Sequence, residues 1–172
     1  MRHGFTLVEL MVVITIGIVI TGGAMVSVTK YVAKEKLVQA ASEVVSMVDL
    51  ARNMAIINQV TAGFTNLDYV AVTLTSSGVV SVFPVNNISG VGSSLVTKKI
   101  GSGGIVFSSL NLGGLQFAAG SGKLVGKNPS PSYQSYPLPP TTNVGITISS
   151  TEVSETQQII ISPFGGVTNT KL

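Results

Sequence analysis

The stretch from Gly4 to Val28 reads GFTLVELMVVITIGIVITGGAMVSV, and it sets the architecture of the chain. A short basic leader precedes it, and residues 10–28 carry no charge. Roughly 18 consecutive apolar residues are enough for a helix to cross the hydrocarbon of a bilayer. The run therefore predicts a membrane-spanning helix from Leu10 to Val28.

Glu9 lies at the start of this apolar run and is its only carboxylate. A charged carboxylate at the centre of a membrane helix costs on the order of 2.5 to 3.5 kcal/mol on insertion scales. An ionisable residue within a membrane segment is by default a functional residue with a charge partner. The sequence therefore predicts that Glu9 is functional.

The segment GFTLVEL, residues 4–10, is preceded by MRH and resembles the class III leader junction of type IV prepilins and type II secretion pseudopilins. The resemblance implies that a prepilin peptidase cleaves between Gly4 and Phe5 and that Phe5, the new N-terminus, is N-methylated. It also implies a single-pass protein of the bacterial inner membrane. Its partners would then be other pilin or pseudopilin subunits, in a pilus or pseudopilus.

Cleavage would leave an ammonium on Phe5, one helical turn before Glu9. If helices pack side by side with a stagger, Glu9 of one subunit can pair with the Phe5 amine of the next and fix the axial register of assembly. Removing one partner of a buried charge pair typically costs about 3 to 5 kcal/mol. Glu9 is therefore the predicted assembly residue.

Two other interpretations of the N-terminus compete with this one. A secretory signal peptide has a shorter apolar region and an A-x-A cleavage site, which does not follow here. A plain single-pass anchor with an incidental Glu9 stays open. The lysines Lys30, Lys34 and Lys36 follow the run, and the positive-inside rule would keep them in the cytoplasm. The resemblance implies the opposite topology, with everything after Val28 periplasmic or extracellular.

Residues 29–60 continue the helical pattern as an amphipathic stalk. Polar residues recur at steps of three and four, at Glu35, Gln39, Ser42, Ser46, Asp49 and Asn53. The apolar face opposite consists of Leu37, Ala41, Val44, Val48, Ala51 and Ala55. No proline occurs before Pro84, which predicts one helix of roughly fifty residues. The alternative is two helices hinged at Gly22–Gly23.

Beyond the stalk, residues 61–172 have the alternation of β-strands. Tyr69–Thr75 and Val79–Val85 flank a Ser-Ser-Gly turn and predict a hairpin. Further β-branched runs are at Ile105–Leu110, Val144–Ser149 and Gln158–Ser162. We therefore predict an α+β fold, in which a long N-terminal helix packs against a C-terminal antiparallel β-sheet domain. The predicted divisions are a leader at 1–4, a transmembrane and assembly helix at 5–28, the stalk at 29–60 and the β-rich domain at 61–172.

Two short segments point to one subgroup within the family that the chain resembles. DLARNMAI at residues 49–56 and IISPFGGV at residues 160–167 resemble positions of minor pseudopilins of the GspH and FimT type. Each segment also has a plainer interpretation. Arg52 can pair with Asp49 on the same helix face, and Pro-Phe-Gly-Gly can be a turn that ends a strand.

Some FimT-like proteins resemble DNA receptors, which have arginines after the terminal glycines, whereas this chain has only Lys171 there. Each phosphate contact needs a cation, so nucleic acid is not the favoured partner. Four other lysines, Lys98, Lys99, Lys123 and Lys127, could form a basic patch or lie solvated on the surface. A DNA-binding competence pilin stays as the alternative function.

Residues suited to catalysis or metal binding are scarce in this sequence. It has no cysteine, and its one histidine, His3, lies in the leader. A histidine base for a serine nucleophile and nitrogen or sulfur ligands for zinc are therefore missing from residues 5–172. Asp68, Glu152 and Glu155 could hold calcium or be solvated surface acids. We predict no enzyme activity, no cofactor and a structural role, as a minor subunit of a type IV pilus or a type II secretion pseudopilus.

Overall fold

A single continuous helix, α1 (Leu7–Ile57), forms the first third of the protein. The computed structural model describes residues 6–58, 67–86, 90–101, 103–108, 110–125 and 143–171, without the side chains of residues 23–27 and 110–114. The helix has 51 residues and continues across Gly22–Gly23, so the hinged alternative is not seen. It ends at Asn58, whose left-handed backbone (φ 53°) closes the last turn through a hydrogen bond from its N–H to the carbonyl of Ala55.

The second half of α1 is amphipathic, as the sequence predicts. The six predicted apolar residues from Leu37 to Ala55 are all buried, and Ala33, Ala40 and Met47 extend the buried face. The predicted polar residues are exposed, except Asp49, which is half-buried. This face is the part of the helix that packs against the β domain.

Ten strands follow the helix among the described residues. They are β1 (Tyr69–Leu74), β2 (Val79–Asn86), β3 (Gly90–Val91), β4 (Val96–Lys99), β5 (Ile105–Phe107), β6 (Leu110–Ala118), β7 (Leu124–Val125), β8 (Val144–Ser150), β9 (Thr156–Ile161) and β10 (Val167–Lys171). The first sheet has the order β3-β2-β1-β6-β7, with β4 also paired to β2. The second has the order β10-β9-β8-β5, and every pairing is antiparallel.

Both sheets present alternate apolar side chains to α1. In the first sheet, Val72 lies opposite Val82 on one side and Leu115 on the other. In the second, Ile146 lies opposite Ile159. These residues and the buried face of α1 form one core cluster. A smaller cluster of Tyr69, Ala71, Val85 and Val125 lies on the opposite face of the first sheet.

The α+β prediction is confirmed. The predicted hairpin forms from β1 and β2, and its turn requires glycine at Gly78, which has φ +80° and lies against the carbonyl of Ile100. The sequence missed β3, β4, β7, β10 and most of β6. The predicted run Ile105–Leu110 is divided between β5 in one sheet and the start of β6 in the other. Four of the five residues of β10 are polar and exposed, so its pairing with β9 is what makes it a strand.

Candidate assembly site

The first half of α1 is uncovered. Its large apolar side chains from Leu7 to Ile20 are between 51% and 74% exposed. One face of the second half of the same helix is buried in the core of the β domain. In its second half the helix therefore has one face that the β domain covers. In its first half the apolar side chains have no cover among the described residues.

Glu9 forms a capping box with Thr6 at the beginning of this uncovered segment. The N–H of Glu9 donates to the Thr6 hydroxyl at 3.3 Å. Glu9 Oε2 accepts hydrogen bonds from the Thr6 N–H at 2.9 Å and from the Thr6 hydroxyl at 2.8 Å. A carboxylate in the first turn also faces the positive end of the helix dipole. The spacing Thr-x-x-Glu before an apolar run is a sequence signal for this box.

All the hydrogen bonds of the Glu9 carboxylate are made by one oxygen. Oε1 has no hydrogen-bond partner among the described residues. Gly4 and Phe5, the predicted cleavage and methylation residues, lie outside the described residues. Pairing between Glu9 and a Phe5 amine therefore stays a prediction.

The polar side chains inside the uncovered segment are satisfied by the helix itself. Thr15 donates to the carbonyl of Met11 at 2.8 Å, and Thr21 donates to the carbonyl of Gly17 at 2.7 Å. Such hydrogen bonds let a hydroxyl lie in apolar surroundings without another partner. Apart from Glu9, this segment offers a neighbour an essentially apolar surface.

No helix among the described residues is long and apolar enough to qualify as a membrane span. The predicted span from Leu10 to Val28 is unconfirmed.

At the other end of α1, the two short segments noted in the sequence meet. Arg52 Nη2 donates to the carbonyl of Phe164 at 3.3 Å. None of the ion pairs of the described residues joins Arg52 to Asp49, so that plainer interpretation does not hold. The Pro-Phe-Gly-Gly segment is a turn between β9 and β10, as its plainer interpretation has it, and it also contacts the helix.

Two glycines allow this contact. Gly165 has φ +80°, and a Cβ there would lie 2.5 Å from the carbonyl oxygen of Gly122 and 2.7 Å from Arg52 Nε. Gly122 has φ +61°, and a Cβ there would lie 2.5 Å from Ile56 Cγ1. We call this junction of the helix end with residues 119–123 and 163–166 the distal junction. Its close backbone approach leaves no room for a side chain at either glycine.

An ion-pair network ties the helix to the second sheet. Glu155 Oε1 lies 3.2 Å from Lys34 Nζ and 3.0 Å from Lys171 Nζ. The hydrogen bond from Lys171, followed by that from Lys34, holds the pKa of the Glu155 carboxyl below its ordinary value of 4.5. The hydrogen bond to Glu155 and the attraction of its charge raise the pKa of Lys34.

Three of the four lysines that could have formed a basic patch are described, and they lie at two different ends of the domain. Lys98 and Lys99 are on β4, where Lys98 Nζ lies 3.3 Å from Glu43 Oε2. Lys123 is in the turn at the distal junction, and Lys127 lies outside the described residues. Among the described residues no group of three or more acidic or histidine side chains could hold a metal ion. Asp68, Glu152 and Glu155 therefore do not come together as one group of ligands.

Comparison with known proteins agrees with this geometry. Residues 1–25 match the family described as the prokaryotic N-terminal methylation motif. The search of curated proteins finds no match. Among solved structures, the fold is similar to the minor pseudopilin EpsH from the type 2 secretion system of Vibrio cholerae, with a TM-score of 0.52 and 10% sequence identity. The similarity covers 79% of this chain and 97% of that chain.

At 10% identity the likeness to EpsH is one of fold. The N-terminal motif and the fold together support the type IV pilin and pseudopilin family for this chain. The N-terminal motif predicted from residues 4–10 is confirmed by the match over residues 1–25.

Proposed function

We propose that this chain is a structural, minor subunit of a type IV pilus or a type II secretion pseudopilus. The observation that carries the proposal is the uncovered apolar half of α1, with exposures above 50% from Leu7 to Ile20. A contiguous apolar surface of this kind marks a contact with lipid or protein. For a subunit of this kind we expect both contacts in succession, first with the lipid of the membrane and then with the helices of neighbouring subunits.

The proposed sequence of events begins with insertion in the bacterial inner membrane, with the β domain on the periplasmic side. Prepilin peptidase then cleaves after Gly4, and Phe5 is methylated. On assembly, the Glu9 carboxylate forms an ion pair with the Phe5 ammonium of a neighbouring subunit. The capping box supports this step, because Thr6 occupies Oε2 and holds the carboxylate in place while Oε1 has no described partner.

A minor rather than a major role is supported by the likeness to EpsH, which is itself described as a minor pseudopilin. The role requires no catalytic step, and we assign no enzyme activity and no cofactor. The alternative of a DNA-binding pilin is less well supported. Lys171, the one base after the terminal glycines, already contacts Glu155 at 3.0 Å. Salt-dependent binding of the purified chain to duplex DNA would favour the alternative.

The experiment is N-terminal mass spectrometry of the chain from membranes and from sheared filaments, in cells with and without prepilin peptidase. We expect a start at N-methylated Phe5 in filaments and an intact Met1 in membranes that lack the peptidase. Gly4→Val is the control, because a side chain at the cleavage site should block processing and keep the chain out of filaments. Filaments that contain the chain with Met1 intact would overturn the proposal.

A further inference from the structure

Most of the charged side chains of the β domain, and of the part of α1 beside it, lie at one end of the domain. We call the base the end formed by residues 76–78, 98–101 and 151–155, which lies beside residues 30–43 of α1. These parts are joined by a hydrogen bond from Ile100 N–H to the carbonyl of Gly78 at 2.8 Å, and by the ion pairs of Glu43 and Glu155. The distal junction lies at the opposite end of the domain, beside the end of the helix.

Six of the eight cationic side chains in the described part of the chain belong to the base: Lys30, Lys34, Lys36, Lys98, Lys99 and Lys171. Four glutamates accompany them, Glu35, Glu43, Glu152 and Glu155. With six positive and four negative charges, the base has a net charge of +2. At and beside the distal junction, Arg52 and Lys123 are balanced by Asp49 and Asp68.

The lysines of the base are not all neutralised. Glu155 forms ion pairs with Lys34 and Lys171, and Glu43 forms one with Lys98. Lys30, Lys36 and Lys99 make no ion pair with any described residue. Half of the lysines at the base are therefore available to an anion from outside the chain.

A groove between α1 and β4 brings two of these free lysines together. It has a volume of about 300 Å³ and is lined by Lys36, Gln39, Ala40, Glu43, Lys98, Lys99 and Gly101. Its one carboxylate is occupied, since Glu43 accepts from Gln39 at 3.2 Å and pairs with Lys98. Lys36 and Lys99 are the unpaired charges of the groove, so a phosphate-sized anion fits it chemically.

The base is also the end of the domain nearest to the apolar run. At about 1.5 Å per helical residue, Lys30 and Lys36 lie about 3 Å and 12 Å beyond Val28 along the helix. The headgroup layer is about 5 to 8 Å thick on each side of a bilayer, and electrostatic forces reach about 8 Å further at physiological salt. Lys30, Lys36 and the neighbouring Lys99 are within this range.

We propose that the base docks on anionic lipid headgroups of the membrane and that the groove between Lys36 and Lys99 receives a headgroup phosphate. This inference rests on the proposed function, because it requires the chain to be anchored through the apolar run. Docking holds the β domain against the membrane until the subunit is taken into a filament. An acidic protein segment fits the charge but would not explain why the cations gather at the end next to the apolar run.

The test uses the full chain in vesicles of phosphatidylcholine, with or without phosphatidylglycerol, that contain lipids with nitroxide-labelled headgroups. Because the chain lacks cysteine, a fluorophore can be placed on Ser76→Cys at the base or on Ser121→Cys at the distal junction. Both positions are exposed. We expect phosphatidylglycerol to increase nitroxide quenching at position 76 and to leave quenching at position 121 unchanged.

Substitutions identify the lysines responsible. Each lysine near an anionic surface is expected to change the ratio of docked to undocked molecules about fivefold. Lys36→Gln with Lys99→Gln should therefore return quenching at position 76 to the level in phosphatidylcholine. Lys123→Gln, which removes a lysine at the distal junction, should leave it unchanged. Raising the ionic strength to about 1 M, where the Debye length is about 3 Å, should abolish the effect of phosphatidylglycerol.

Anchoring and docking are measured separately. Resistance to alkaline extraction from phosphatidylcholine vesicles reports insertion, and its failure would count against the proposed function. Normal insertion with equal quenching at position 76 in both vesicle types would overturn the docking proposal alone. A response that depends on Lys36 and Lys99 but requires poly-glutamate or duplex DNA instead of phosphatidylglycerol would overturn it in favour of a protein or nucleic-acid partner.

Discussion

Arg52 and Phe164 are 112 residues apart in the chain, yet Arg52 Nη2 donates a hydrogen bond to the Phe164 carbonyl at 3.3 Å. This contact fastens the turn between β9 and β10 to the end of α1. Around it, Gly120 N–H donates to the carbonyl of Ala55 at 2.8 Å, and Leu124 N–H donates to the carbonyl of Pro163 at 3.1 Å. The end of the helix and both sheets are thus joined at one point.

The packing predicts that the domain folds without the apolar run. A truncated chain that starts at Lys30 retains the whole buried face of α1 and both sheets. We expect it to be soluble and to unfold in a single cooperative transition in urea, observed alike by circular dichroism and fluorescence. Aggregation under all conditions would show that the face of Leu37, Val44 and Val48 needs other subunits as its cover.

Arg52→Ala should lower the free energy of unfolding of this truncated chain by about 1 to 3 kcal/mol, because it removes a charged hydrogen-bond donor and its packing on Gly122. Asp49→Ala is the matched control one turn away and should change stability by less than about 0.5 kcal/mol. Urea titration measures both. Equal losses of stability in the two variants would contradict this account and would indicate that Arg52 stabilises the domain through an ion pair with Asp49.

Gly165→Ala should destabilise the domain by about 1 to 3 kcal/mol or more, because its backbone has φ +80° and the added Cβ meets Gly122 and Arg52. Gly103→Ala tests the same substitution where the Cβ would have nothing within 4 Å, and it should be nearly neutral. The measurement is again unfolding in urea. A Gly165→Ala variant as stable as Gly103→Ala would contradict the close approach at the distal junction.

Glu155 predicts a dependence of stability on pH. Because its pKa is lowered in the folded state, its contribution is present above the ordinary value of 4.5 and is lost as pH falls through the lower folded value. The pKa of Lys34 is raised, so its contribution is present up to 10.5 and is lost at higher pH. Glu155→Gln should therefore be less stable than the wild type at neutral pH, and the difference should vanish in acid. A difference that is independent of pH would show that Glu155 acts through packing alone.

Much of the architecture was predictable because it depends on local pattern. The spacing of Leu37, Val44 and Val48 predicts the buried face of α1, and the Ser-Ser-Gly turn predicts the first hairpin. The Thr-x-x-Glu spacing predicts the capping box in the same way, because both of its residues lie within one turn of the helix. The strands β7 and β10 were not predictable in this way, since a two-residue strand and a polar strand exist through pairing with their neighbours.

The site was predictable only in part. The sequence singles out Glu9 and Arg52, but Phe164, the partner of Arg52, and Lys34, a partner of Glu155, each lie more than 100 residues away in the chain. Such contacts follow from the fold and not from spacing. For the same reason, the sequence could not tell that Lys98 and Lys99 lie at the base while Lys123 lies at the opposite end.

The central claim is that the Glu9 charge directs assembly, and Glu9→Gln tests it most directly. Glutamine can keep the capping box with Thr6, so the variant removes the charge and leaves the helix start intact. Thr6→Ala is the control that weakens the cap but keeps the charge. The measurement is the amount of each variant in sheared filaments relative to its amount in membranes.

We expect Glu9→Gln to be inserted and cleaved normally and to fall about tenfold or more in filaments, because an unpaired buried charge costs about 3 to 5 kcal/mol. Thr6→Ala should enter filaments at a level close to that of the wild type. Glu9→Gln at the wild-type level in filaments would contradict the claim and leave apolar packing of the uncovered half of α1 as the assembly force.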